Sequence, residues 1–188
     1  MPSVPFTPAP PSAARAGAGG ASTGGVPSTG ASRRSLVLLA AATVIGLLHH
    51  TDHVLRVDHS GWPFLPNVTP FTPSLLAYVF LYGAYHVRAR PRVSAVLVGV
   101  VLLVVLAAHV FIETPHQQYD VWATGVSHLP HALGTPNLLH VTSPALGVAA
   151  AVLSILLSVA LLATALSFWA DARRAGPRGR AASAVSAA

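Results

Sequence analysis

The side chains that could do chemistry fall in two short stretches. The first, His49-His50-Thr51-Asp52-His53-Val54-Leu55-Arg56, closes a long apolar run. The second, His109-Val110-Phe111-Ile112-Glu113-Thr114-Pro115-His116, closes another. Residues three and four apart share a helix face. His49, Asp52, His53 and Arg56 therefore form one stripe, with His50 rotated away, and His109, Ile112, Glu113 and His116 form a second. In each stripe a histidine precedes a polar group by four residues, about 6 Å along a helix axis. If the two helices are neighbours, His49 meets His109 in one layer and His53 meets Glu113 in the next. Tyr78 falls near the depth of the inner layer.

Imidazole and carboxylate donors without sulfur suit Zn, Cu(II) or non-haem Fe. The expected ligands are His49, His53, His109 and Glu113, with His116 or His50 completing the set. Asp52 is expected to orient a ligand imidazole, with Arg56 and Tyr78 in the surrounding shell. The competing reading is a polar network near the membrane interface, with Asp52 and Arg56 as an i,i+4 pair and hydrogen-bonded histidines. Ionisable groups at membrane depth are costly and rare without a function, which favours a site. Haem b is the alternative cofactor, with His49 and His109 as axial ligands and Arg56 pairing with propionates. A ferritin-like di-iron centre fits less well, because it needs about four carboxylates and Pro115 ends the helix that carries Glu113.

The elements that must position these groups are apolar runs. The chain has 188 residues, of which 53% are hydrophobic and 9% charged, against roughly 25% charged in soluble domains. This places it among all-α integral membrane proteins, as a four-helix bundle with spans near 35–57, 71–87, 93–112 and 143–169. Residues 1–34 and 171–188, rich in Ala, Gly, Ser and Arg, read as a disordered segment and tail. Ser32-Arg33-Arg34-Ser35-Leu36 resembles a twin-arginine export signal, but the run ends in His49-His50-Thr51-Asp52 rather than small residues, so the helix is expected to be retained. Thr72-Pro73 and Ser143-Pro144 read as N-cap followed by proline at the first helical position. Gly147 with Ala151, and Ser154 with Ser158, are small residues that allow close helix approach.

There is no cysteine, which excludes thiolate metal sites and iron–sulfur clusters. All eleven basic residues are arginines, and all but Arg56 bracket one side of the four-span arrangement. The positive-inside rule then places both termini in the cytoplasm, in a multi-pass cell-membrane protein. It also accounts for the basic balance better than a nucleic-acid partner does. Every histidine except His86 falls toward the outer side. His128, His131 and His140 read as solvated connector positions.

The functional expectation is a metal-dependent (Fe or Cu) oxidoreductase acting on a lipophilic substrate, with a Zn hydrolase close behind. The non-enzymatic alternatives are a haem- or quinone-linked electron-transfer subunit and a metal-handling membrane protein. The expected partners are the lipid bilayer, a lipophilic small molecule, and a protein partner or second copy.

Overall fold

The computed structural model describes residues 30–56, 71–129 and 132–176. These residues are helical apart from turns and one isolated bridge between Val126 and Pro136. The helices are α1 (Arg33–Arg56), α2 (Phe71–Ser74), α3 (Leu76–His86), α4 (Pro91–Phe111), α5 (Pro115–Thr124) and α6 (Pro144–Arg174). Three of them, α1, α4 and α6, are long and apolar enough to cross a membrane.

α6 is the central helix and packs against α1, α4 and α5. Its start follows the local chemistry: the Ser143 side chain accepts from the Leu146 N–H, and Pro144 occupies the first turn, where a missing N–H costs nothing. The core between the long helices is built from Leu39, Ala42, Val98, Leu157, Leu161 and Phe168. Much of the opposite face of each is large, apolar and exposed, as at Leu47, Leu103 and Ile155. Such faces suit contact with a lipid bilayer. α3 and α4 form a hairpin, tied where the buried Ser94 hydroxyl donates to the Ala84 carbonyl at 2.8 Å.

At the arginine end the start of α1 is fastened to the end of α6. The Asp171 carboxylate accepts from the Ser32 N–H at 2.8 Å and the Ser35 hydroxyl at 2.6 Å, and also from Arg174. An anion there satisfies one of the unpaired N–H groups at the start of a helix and complements its dipole. Asp171→Ala is expected to lower stability by about 1–3 kcal/mol. Thermal unfolding in detergent checks this, with Asp171→Asn expected to recover part of the loss.

Several sequence expectations change. Arg33 and Arg34 form the first turn of α1 rather than the end of a disordered segment, and α6 runs to Arg174 rather than 169. Arginine has high helix propensity and a long stem that lies along apolar surface, so it extends a helix into the interface. Thr72 is not an N-cap, because α2 begins at Phe71 and the helical path is interrupted at Leu75. The connector after α4 contains a helix, α5, that lies against α6. The rest of the expected disordered segment (1–29) and tail (177–188) lies outside the described residues.

Candidate functional site

The C-terminal ends of α1 and α4 meet through side chains, in two layers. His109 Nε2 lies 3.3 Å from His49 Nε2. Four residues further along each stretch, His53 Nε2 lies 3.0 Å from Glu113 Oε2. These are the pairings expected from the two stripes. α4 ends at Phe111, and Glu113 turns inward from the two-residue break before α5.

Arg56 closes the cluster from the end of α1. Its side chain is fully buried, donates through Nε to Asp52 Oδ2 at 3.0 Å, and pairs through Nη1 with Glu113 Oε1. Nη2 has no hydrogen-bond partner among the described residues. Among the described residues Asp52 makes no hydrogen bond to an imidazole. It accepts from Arg56 and from the buried Trp122 Nε1–H at 2.9 Å, which corrects its expected role as an orienter of a ligand histidine.

His116 is not in the cluster. Thr114 and Gln117 form a capping box that starts α5, with Pro115 in its first turn, so the stripe through Glu113 breaks before reaching His116. The His116 ring is 81% exposed and pairs with Asp120 at 2.9 Å. His50 faces a different set of partners: Nδ1 lies 2.7 Å from the Tyr78 hydroxyl and Nε2 lies 2.9 Å from Ser74 Oγ. Tyr78 therefore contacts the site through His50. His128 and His140 are exposed, and His131 lies outside the described residues.

Two further residues support the site from behind. Gln118 is fully buried on α5; its Nε2 donates to the Glu113 carbonyl, which directs Oε1 toward the Ser154 hydroxyl on α6. The Ser154 hydroxyl donates its hydrogen bond to Gln118 Oε1, and its Oγ lies 3.4 Å from His49 Nδ1. In the tautomer with the proton on Nδ1, His49 donates to Ser154 and presents its Nε2 lone pair to His109. The Thr114-Pro115-x-Gln117 capping box is the signal in the sequence that could have revealed α5, and with it Gln118.

Between the layers and the start of α3 lies a cavity of about 80 Å³. His49, His50, His53, His109 and Glu113 line one part, and Ala77, Val104, Val105 and Ala108 line the rest. A single water needs only ~10–15 Å³ of such space, so the cavity has room for a few waters or a small polar group. Among the described residues, no three histidine, aspartate or glutamate side chains are drawn together closely enough to hold a metal ion. The arrangement is two adjoining pairs.

Comparison with known proteins finds no matching family model, curated protein or solved structure.

Proposed function

We propose that the chain is a four-span, multi-pass cell-membrane protein whose His49–His109 cluster binds one transition-metal ion and serves oxidation of a lipophilic substrate. The fourth span on this reading is residues 71–87, which contain α2 and α3. Both termini are cytoplasmic on this reading. Support for that comes from Arg33, Arg34, Arg88, Arg90, Arg92, Arg173 and Arg174, which share one end of the helices, opposite Arg56.

The observation that carries the metal reading is the facing imidazole pair. Two nitrogens bound to one tetrahedral ion at about 2.0–2.1 Å each stand roughly 3.4 Å apart. His49 Nε2 and His109 Nε2 are separated by 3.3 Å. Their direct contact argues for an ion over haem b, because no gap for a porphyrin separates the rings. Two ligands are too few, so a third must turn inward. Glu113 is held by Arg56, and His53 is the expected third ligand. With imidazoles neutral, Asp52, Glu113 and Arg56 carry formal charges of −1, −1 and +1, a net −1 that favours a cation. A bound Fe or Cu ion would supply one-electron chemistry, and the alanine and valine side of the cavity gives it an apolar approach.

Elemental analysis of detergent-purified protein tests the reading. About one equivalent of metal is expected, lost in His49→Ala and His109→Ala and kept in His116→Ala. Less than about a tenth of an equivalent after reconstitution overturns it, since a site of this donor set should load at neutral pH. A Soret band dependent on the same two histidines overturns the ion in favour of haem b.

A further inference from the structure

The end of the molecule opposite the histidine cluster carries a second feature. Arg33 and Arg34 open α1, Arg88, Arg90 and Arg92 surround the α3–α4 turn, and Arg173 and Arg174 end α6. Two hydrogen bonds draw these segments together. The Ala31 N–H donates to the Arg88 carbonyl at 2.8 Å, and the Ser32 N–H donates to Asp171 at 2.8 Å. All seven arginines are exposed. Among the described residues at this end the sole carboxylate is Asp171, which is buried and already bound by Ser32, Ser35 and Arg174. Two rings extend the patch toward the apolar faces: Arg88 lies 4.7 Å over Tyr85, and Arg173 lies 5.8 Å over Trp169.

Positive-inside topology requires arginines on one side of the bilayer, but it does not require them to converge. Here they form one exposed surface with almost no opposing charge, on helices whose apolar faces continue directly from it. We infer that this surface binds the phosphodiester headgroups of anionic phospholipids. Guanidinium groups offer paired N–H donors that match phosphate oxygens, and Tyr85 and Trp169 sit where acyl chains begin. The inference is independent of any metal at the opposite end.

Native mass spectrometry of the full chain, released from nanodiscs of phosphatidylcholine with phosphatidylglycerol, tests it. Retained lipid should be enriched in phosphatidylglycerol. Arg88→Gln with Arg92→Gln should weaken the enrichment by roughly fivefold per arginine. Raising salt on the wild-type protein should weaken it too, which needs no variant to fold. Equal retention of the two lipids, or an enrichment unmoved by both salt and the double variant, overturns the proposal.

Discussion

Arg56→Ala should destabilise the protein by about 3–5 kcal/mol, the range for leaving a buried ion cluster without its partner. The guanidinium is fully enclosed and faces Asp52 and Glu113 together. Removing it sets two carboxylates against each other, with Trp122 and His53 left to hold them among the described residues. Arg56→Lys keeps the charge but cannot reach both acids with a planar fork, so an intermediate loss is expected. Combining Arg56→Ala with Glu113→Gln should restore part of the stability, because one unpaired charge is removed. Denaturant unfolding in detergent measures all three. A loss below about 1 kcal/mol for Arg56→Ala would mean that water replaces the guanidinium and that the cluster is not dry.

Gly147→Ala should displace α5 and cost about 1–3 kcal/mol, as overpacking of a close contact does. A Cβ at Gly147 would stand 2.6 Å from the Tyr119 carbonyl oxygen and 2.8 Å from its ring. A helix carbonyl cannot move alone, so α5 must move with it. Gln118 adjoins Tyr119, and its contact with Ser154 behind His49 should loosen in the same variant. Hydrogen exchange over residues 115–124 should therefore speed up more than elsewhere. Gly99→Ala is the control, because nothing lies within 4 Å of its added Cβ. There the higher helix propensity of alanine should leave stability unchanged or raised by up to about 1 kcal/mol.

The three long helices were legible because lipid-facing helices are apolar around most of their surface, and that signal does not depend on partners. The pairing of His49 with His109 and of His53 with Glu113 was legible for a different reason. Two polar stripes at the same depth on neighbouring apolar helices have few other ways to be satisfied. The places of His116 and Asp52 were not, because each depends on a competition that spacing alone does not decide. At His116 a Thr-Pro helix start wins over continuation of α4. At Asp52 an indole on a helix 70 residues away wins over a neighbouring imidazole. Gln118 was hidden by the same helix start, since a glutamine in a presumed loop has no stated face.

The fastening of Ser35 to Asp171 spans 136 residues of sequence. During synthesis the first helix therefore emerges long before its anchor exists. His49 has the same history, since Ser154 lies 105 residues beyond it. A chain stopped after Thr114 would carry both histidine layers but neither the latch at one end nor the serine and glutamine behind the other. In such a chain the first helix is unfastened at one end, and His49 gains its backing only once Ser154 has been added.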